Sequence, residues 1–400
     1  MAANRIITIL FYMLIAAGTS VMAYRIQPYA ADESVWVSGQ RSVKSVQNRL
    51  YMTGIFLILF TVAALRFDIG NDYRQYTQTA HEAYVGGYVV TEAGFNVLVR
   101  FLYGIVGGEC YELVFAVFAF ATLYFFLRAF WQQSVDFSQT FFLFMMLGLY
   151  FQTFNTVRYY LALALALYSM KYVLERDAIK FVCWIVAAAF FHKSVLLVLP
   201  MYWIASFAWK KWQVFAGLAV SALCFVGKGF ILKLALMLYP SYKNTIYLET
   251  PRLLDSLFSS LRPLLALALY GWFVYTQAPE DRGHDWEREL RFYGQLNLMA
   301  LVSGTFFYFL PVVTRITYYF GVSQLFMVPL ILRHITKQKV RRNITIVVYM
   351  VCILYFMVFL WKAHEDGVGL LPYRSWLFET QRYICRLYPS PRPRARTRAR

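Results

Sequence analysis

The chain carries little charge for its length. Only 15% of its 400 residues are Asp, Glu, Lys or Arg, whereas an average soluble domain has about 25%. Hydrophobic residues make up 60% of the chain and lie in long uncharged runs instead of at amphipathic spacing. These runs exclude a soluble globular domain, and a transmembrane β-barrel would need short alternating segments. The sequence therefore predicts an all-α fold, as a polytopic integral membrane protein.

Paired cysteines and the short motifs of soluble enzymes are also missing. The cysteines show no CxxC spacing, which argues against a disulfide framework and against a metal site. The sequence has no P-loop, no HExxH, no GxSxG and no GxGxxG that opens a helix after a strand. We therefore expect no cofactor and no bound metal. The cysteines are Cys110, Cys183, Cys224, Cys352 and Cys385.

The excess of positive charge does not require a nucleic-acid partner. The net charge is +18, but basic loops follow from the positive-inside rule and from anionic lipid. We expect the lipid bilayer as a partner and no nucleic acid. Residues 6–24 form an uncharged stretch of span length, so we interpret them as a first span instead of a cleavable signal.

The apolar runs predict about 12 transmembrane helices, several of them shorter than the roughly 20 residues of a perpendicular span. The short pair 178–191 and 194–208 would be one kinked helix or two half-length helices that meet near His192. Broken helices at membrane depth are tolerated only where they face protein or a water-filled cavity. The predicted spans are 6–24, 50–65, 110–130, 139–154, 157–174, 178–191, 194–208, 213–236, 256–276, 292–313, 316–333 and 343–361.

Basic segments set the predicted orientation. Loop 25–49, Trp209–Trp212 and Arg333–Arg342 are rich in Lys and Arg, so we place them in the cytoplasm. Both termini then face outward. The short apolar piece 94–106 fits only as a re-entrant or surface helix on the outer face, within the outer loop 66–109.

The sequence divides into one domain and a tail. Residues 1–378 form a single transmembrane domain, and residues 379–400 form a basic tail rich in Arg and Pro. Such low-complexity composition predicts disorder. A solvated tail is the simple interpretation, and pairing with lipid phosphate or acidic glycan is the alternative.

Three outward-facing cationic stretches stand at the starts of apolar helices. They are Asn155–Arg158, His192–Ser194 and Thr314–Arg315. A helix N-terminus offers free N–H groups and a positive dipole end, so an added cation makes an anion site. The dipole opposes an Arg at that position, and a bound anion would remove the conflict. We therefore predict a phosphate-bearing substrate. Local rules also predict helix caps at Asn155 or Thr156 and at Ser194.

Three residues on the same face, Asp72, Glu92 and His192, have two interpretations each. The loop Arg66–Tyr76, with Asp72, would be an ordinary interfacial loop or part of a site. Thr91 would cap the helix near 94 with Glu92 in its first turn, or Glu92 would act as a base or as a ligand to a substrate hydroxyl. His192 would be a structural histidine or a catalytic one.

These residues together resemble the EpsG family of bacterial exopolysaccharide proteins, the Wzy-like polymerases. The match runs from about residue 50 to 375, and Tyr159 departs from it where Gln is expected. The matching pieces are Arg66-x-x-x-Gly70-x-Asp72-Tyr73-x-x-Tyr76, Glu92-x-Gly94-Phe95, Val157-Arg158-Tyr159-Tyr160-Leu161-Ala162, Phe191-His192-Lys193-Ser194, Arg315-x-x-x-Tyr319-Phe320 and Pro372-Tyr373.

The resemblance implies a fold related to the GT-C glycosyltransferases and action at the outer face of the inner membrane. It implies undecaprenyl-diphosphate-linked oligosaccharides as substrates and allows a chain-length regulator as a partner. We predict Asp72, Glu92 and His192 as candidate catalytic bases. We predict diphosphate or glycan binding by Arg66, Tyr73, Tyr76, Arg158, Tyr159, Lys193, Ser194, Arg315, Tyr319 and Tyr373.

The leading hypothesis is a metal-independent polysaccharide polymerase that makes exopolysaccharide or O-antigen. It would transfer a growing glycan from its lipid diphosphate to another lipid-linked repeat unit. The rival class is a lipid-linked oligosaccharide transporter, or flippase, because broken helices that aim dipole ends at an anion are also a transporter device. An O-antigen ligase-type transferase and a transferase of single sugars from a lipid monophosphate are neighbouring enzyme hypotheses.

Overall fold

The computed structural model describes residues 2–27, 36–37, 40–87, 89, 91–238, 253–276, 285–310, 313–363 and 369–378. These residues are almost all helical, as predicted. A small antiparallel pair, β1 (Trp36–Val37) and β2 (Gln40–Arg41), is the exception. The predicted basic tail 379–400 lies outside the described residues.

The first group of helices contains one that we did not predict. Its sequence is mostly polar, so it lacks the apolar run that marks the others, but it buries Tyr73, Tyr76 and Ala80 along one face. The helices are α1 (Ala2–Tyr24), α2 (Val43–Ala64), the unpredicted α3 (Tyr73–Val85), α4 (Ala93–Val106) and α5 (Tyr111–Gln133).

The second group contains the broken helices. The predicted span 139–154 breaks at Gly148, whose φ of +70° suits glycine and whose missing Cβ leaves room for the Phe359 ring. The predicted span 213–236 bends by 84° near Gly227. The elements are α6 (Phe137–Met146), α7 (Leu149–Gln152), α8 (Val157–Leu174), α9 (Ala178–Ala189), a 3₁₀ helix (Lys193–Leu197), α10 (Val198–Ser206), α11 (Lys211–Val226) and α12 (Lys228–Leu238).

The remaining helices follow the predicted positions, and the predicted span 316–333 is divided between two of them. They are α13 (Leu253–Thr276), α14 (Asp285–Phe306), α15 (Val313–Gly321), α16 (Gln324–His334) and α17 (Gln338–Lys362). Among the residues that the structure describes, five helical stretches are long and apolar enough to cross a membrane, or six if the bent pair counts as one. The molecule is thus a helical multi-pass membrane protein, while the count of twelve spans and the GT-C relationship stay predictions.

Helix α8 is the centre of the bundle and packs against α5 and α9. Its residues from Leu161 to Leu167 are all buried, and alanines alternate with leucines along it. Small side chains let neighbouring helices approach closely. The N-terminal end of this central helix carries Arg158 and Tyr159, so the bundle's packing fixes their position.

Residues 369–378 form a non-helical segment that docks on the C-terminal end of α2. Helix ends leave carbonyl groups without helical partners, and this segment supplies several of the missing donors. The hydrogen bonds run from the Tyr373 hydroxyl to the Val62 carbonyl, from Trp376 N to the Leu65 carbonyl, from Phe67 N to the Arg374 carbonyl and from Gly70 N to the Gly369 carbonyl. Tyr373 N also donates to Thr8 Oγ1 of α1.

One expectation about the cysteines is wrong. Cys110, directly before α5, is disulfide-bonded. Cys183, Cys224 and Cys352 are free, as expected. The cysteine spacing did not predict the disulfide at Cys110, because a disulfide requires two cysteines to be close in space and not close in sequence.

Candidate functional site

The helix starts that we singled out lie together in the fold. The N-terminal ends of α4, α8 and α15 meet the turn at Phe190–Lys193 between α9 and the 3₁₀ helix. The chain of contacts there runs from Tyr76 through Arg158, Glu92 and His192 to Arg315. We call these five residues the charged cluster.

Glu92 and Arg158 form the ion pair at the centre of the charged cluster. Their side chains are only 14% and 17% exposed, so solvent screens the pair weakly. Arg158 Nε also lies 3.4 Å from the Tyr76 hydroxyl. The guanidinium group lies 5.3 Å from the Tyr76 ring centroid and 5.4 Å from that of Phe95. Two aromatic rings and one carboxylate therefore hold Arg158 in place.

The predicted cap by Thr91 is wrong. Glu92 itself is the N-cap residue of α4, and its carboxylate makes no capping bond. Thr91 Oγ1 instead donates to Asn96 Oδ1. Gly94 explains the difference: its N–H donates to the Phe190 carbonyl at 2.9 Å, and a Cβ there would lie 2.6 Å from that oxygen. Only glycine allows α4 to come this close, and the approach brings Glu92 to the turn that carries His192.

His192 links the ion pair to the second arginine. Its Nδ1 lies 3.6 Å from Glu92 Oε1, and its Nε2 lies 3.4 Å from Arg315 Nη1. Burial, followed by the positive charges of Arg315 and Arg158, lowers the pKa of His192 to about 3. The Glu92 carboxylate does not offset this effect, because it is paired with Arg158 and lies beyond hydrogen-bond distance. His192 is therefore neutral and can accept a proton.

The two residues after His192 form hydrogen bonds with Glu92 and Tyr319. The backbone N–H of Lys193 donates to Glu92 Oε1 at 3.2 Å, while the Lys193 side chain is exposed. Ser194 does not cap a helix, contrary to expectation, because its hydroxyl lies 3.2 Å from the Tyr319 hydroxyl. Local capping rules failed here because a partner from α15 took the side chain.

Arg315 is the cation of the charged cluster without an acidic partner. Among the side chains that the structure describes, no carboxylate lies within 4 Å of its guanidinium group. The Tyr159 hydroxyl donates to the Arg315 carbonyl at 2.8 Å, and the rings of Tyr159 and Tyr319 pack edge to face at 5.2 Å. Tyr202, which we did not single out, donates to the Tyr319 carbonyl at 2.6 Å. Its apolar surroundings in the sequence gave no signal of this contact.

Asp72 lies near the charged cluster but contacts a different partner. Thr156 Oγ1 donates to Asp72 Oδ2 at 2.7 Å, and Asn71 N donates to Asn155 Oδ1 at 2.9 Å. Thr156 is the N-cap residue of α8, as the prediction of Asn155 or Thr156 allowed, but its side chain makes no capping bond. The side chains of Asn155 and Thr156 bind the loop before α3 instead. Gly70, with a φ of +98°, has no room for a Cβ beside the Phe154 carbonyl. This loop fixes α3, and with it Tyr76, against the start of α8.

Arg66, Tyr73 and Tyr373 lie apart from the charged cluster, at the C-terminal end of α2. Arg66 is 2% exposed and donates to the Ala63 carbonyl. Its guanidinium group lies 4.9 Å and 5.2 Å from the centroids of two phenylalanine rings, and burial lowers its pKa to about 10. Tyr73 stacks on Phe115 at 4.5 Å. Substrate binding by these three residues stays a prediction, since their contacts here are those of a packed core.

The described residues contain no group of three or more His, Cys, Asp or Glu side chains that could hold a metal ion. The donors that converge are instead guanidinium groups, hydroxyl groups, one imidazole and backbone N–H groups. Such a set suits an anion with many oxygen atoms. A local count of Arg158, Lys193 and Arg315 against Glu92 leaves an excess of positive charge at this end of the bundle.

The fold and the charged cluster define a class: a multi-pass helical membrane protein with a cationic site where several helix ends meet. The comparison with protein families narrows this class. The EpsG family model matches residues 49–375, so the chain belongs to the EpsG family. This membership indicates a membrane protein like the exopolysaccharide polymerases. Neither a curated protein nor a solved structure matches the chain significantly.

Proposed function

We propose that the protein is a polysaccharide polymerase that uses undecaprenyl-diphosphate-linked oligosaccharides. A hydroxyl group of the acceptor sugar attacks the anomeric carbon of the donor glycan. The bond from that carbon to the diphosphate oxygen breaks, and undecaprenyl diphosphate leaves with the bonding electrons. The acceptor's proton passes to a base. The lengthened glycan stays attached to the acceptor's lipid.

Arg315 carries this proposal. It is a half-buried cation at a helix N-terminus, and no described carboxylate neutralises it. Negative charge grows on the diphosphate as the bond breaks, and a preorganised cation stabilises this charge without reorganising. Arg158 and Lys193 add positive charge next to it. Arg158, however, already has Glu92 as a partner, so it contributes less free charge than Arg315 does.

His192 is the best candidate for the base among the three that we predicted. It is neutral, and its two ring nitrogens face Glu92 and Arg315. A bound diphosphate would offset the two guanidinium charges that lower its pKa, and so would move that pKa toward neutrality. Glu92 would then orient the imidazole and stabilise its protonated form. The Asp72 carboxylate accepts from Thr156 Oγ1, which lies outside the charged cluster, so Asp72 ranks behind both.

An outward-facing site is part of the proposal. The basic segments at Trp209–Trp212 and Arg333–Arg342 lie on the predicted cytoplasmic side, at the ends of α10 and α16 opposite to the charged cluster. The disulfide at Cys110 supports the same orientation, because disulfides persist in oxidising compartments. Cys110 precedes α5 on the side that we predict to face outward. We propose the inner membrane of a bacterium as the location and transfer without a metal.

The test is chain growth by purified protein in proteoliposomes that contain lipid-linked repeat units. Arg315→Ala should lower the rate about 100- to 1,000-fold, and Arg315→Lys should lower it less because the charge remains. Arg74→Ala is the matched control, since Arg74 lies near the same face but is exposed and pairs with Asp68.

The proposal is overturned if both Arg315→Ala and Arg158→Ala polymerise at the wild-type rate. Transport of labelled lipid-linked sugar without chain growth would identify a transporter instead. A product with a single added unit or a non-lipid acceptor would identify a single-sugar transferase or a ligase. Loss of activity with a chelator, restored by a divalent cation, would overturn transfer without a metal.

A further inference from the structure

An apolar groove lies on the other side of α15 from the charged cluster. It has a volume of about 300 Å³ and runs between α6, α13, α16 and α17. Its polar residues are Arg262, Gln324 and Tyr355, and almost all of the remaining lining is aliphatic. A groove with one cationic position and a long aliphatic wall has the chemistry of a binding site for a lipid with an anionic headgroup.

The groove is polarised along its length. On α13 the lining runs from Arg262 to Leu269, which spans about 10 Å at 1.5 Å per residue. On the antiparallel α17 it runs from Tyr355 back to Ile344, which spans about 16 Å. Gln324 likewise lies at the start of α16 and Val328 one turn further along. All three helices thus place their polar residue at one end and aliphatic residues toward the other.

Arg262 has aromatic neighbours but no acidic one among the described side chains. Its guanidinium carbon lies 4.7 Å from the Tyr318 ring centroid and 5.6 Å from that of Tyr355. An arginine within an apolar helix is costly unless it is paired. Close to it, the Thr317 hydroxyl is buried, at 4% exposure, and has no hydrogen-bond partner. Thr317 and Arg262 line the same small cavity of about 20 Å³, which has room for one water-sized group such as a phosphate oxygen.

Helix α15 contacts both Arg262 of the groove and the charged cluster. Tyr318 faces Arg262, while its neighbour Tyr319 packs on Tyr159 beside Arg315. Arg262 therefore marks a second cationic position at the same end of the bundle. A chain can enter the groove from the bilayer, because Val347 and Val351 of α17 line it and are also exposed.

We propose that this groove binds the prenyl chain of the second lipid-linked substrate, with its diphosphate on Arg262. This inference rests on the proposed polymerase, which brings two lipid diphosphates together in one reaction. The charged cluster has its one unpaired guanidinium at Arg315, which suits the leaving diphosphate. The second diphosphate needs a cation of its own and a separate channel for its chain, and Arg262 with the aliphatic wall supplies both.

The test is photolabelling of the full-length protein in nanodiscs with a polyprenyl diphosphate that carries a diazirine on its chain. Label should map to α13 and α17, around Leu265 and Val351. Arg262→Gln should reduce this labelling at least ten-fold, whereas Arg262→Lys should keep part of it. Leu269→Trp should block the groove and act in the same direction. Val220→Trp, at an exposed position on α11, is the matched control and should leave the labelling unchanged.

Three outcomes overturn the inference. Labelling elsewhere removes the site, and equal labelling of well-folded Arg262→Gln removes the role of the cation. Equal competition by excess phosphatidylglycerol and by unlabelled polyprenyl diphosphate makes the groove a general phospholipid site. Because labelling needs no turnover, its failure is separable from failure of the proposed function. If Arg315→Ala abolishes chain growth while the groove remains unlabelled, this inference alone is wrong.

Discussion

Arg66 is buried and Arg158 partly buried, both at the ends of apolar helices, but the fold stabilises them in different ways. Arg158 stands at the N-terminal end of α8, where the helix dipole opposes a cation, and Glu92 compensates for it. Arg66 follows the C-terminal end of α2, where the dipole and the free carbonyl groups favour a cation. No described carboxylate pairs with Arg66.

The difference shows which arginines point to a ligand. The sequence interpretation used the dipole conflict at Arg158 as evidence for a bound anion, but Glu92 relieves that conflict within the chain. Arg315 also stands at a helix N-terminus and has no such partner. An arginine without an acidic partner, such as Arg315, is therefore the stronger indication of an anion site. Its position in the helix decides whether the lack of a partner destabilises the fold, because the dipole opposes a cation only at the N-terminal end.

The largest expected effect on stability comes from separating the Glu92–Arg158 pair. Arg158→Met leaves a carboxylate unpaired where only 14% of its surface is exposed, so the free energy of unfolding should fall by about 3–5 kcal/mol. The double variant with Glu92→Gln should recover most of this loss. Unfolding of the detergent-purified variants, followed by circular dichroism, measures both. Arg74→Met serves as the control and should cost below about 1 kcal/mol.

The contrasting expectation concerns Arg66. Arg66→Met removes the donor to the Ala63 carbonyl but strands no acid, so the free energy of unfolding should fall by about 1–3 kcal/mol. The same unfolding assay applies, with Arg66→Lys as a variant that keeps the charge. A loss as large as that of Arg158→Met would mean that Arg66 neutralises a group outside the described residues, and the comparison would fail.

The smallest expected effect is the pH dependence that His192 adds to stability. Its folded pKa of about 3 lies below the usual 6.5, so between these values the unfolded chain binds the proton and the folded chain does not. Stability should therefore fall as the pH drops below 6.5, by about 1 kcal/mol between pH 6.5 and pH 5.5. His192→Gln should flatten this part of the profile. An unchanged slope in His192→Gln would show that His192 binds its proton equally well in the folded and unfolded protein, which would contradict the lowered pKa.

Most helices could be predicted from the sequence, because a membrane helix appears there as a long apolar run. The predicted span 157–174 agrees with the bounds of α8. Helix α3 has no such apolar run and was therefore not predicted, although Tyr73, Tyr76 and Ala80 are buried at helical spacing. The break at Gly148 depends on the packing of Phe359 against it, so no local pattern predicted it.

The candidate site was predicted in outline. Arg158, His192 and Arg315 lie in one chain of contacts through Glu92, while their role as a site stays a prediction. The Glu92–Arg158 pair could not be foreseen, since it depends on α4 approaching α9 at Gly94. The capping assignments at Thr91 and Ser194 failed for a related reason. A capping rule considers only the first turn of the helix, whereas Thr91 hydrogen-bonds Asn96 and Ser194 lies against the Tyr319 hydroxyl.

The segment 369–378 ties the end of the described chain to its beginning. Tyr373 N and Thr8 Oγ1 are separated by 365 residues. During biosynthesis, α1 and α2 are therefore made long before the segment 369–378 that docks on them. At about 5–20 residues per second, this delay is roughly 20–70 s. A chain that is truncated before Gly369 would leave the carbonyl end of α2 open to lipid and water.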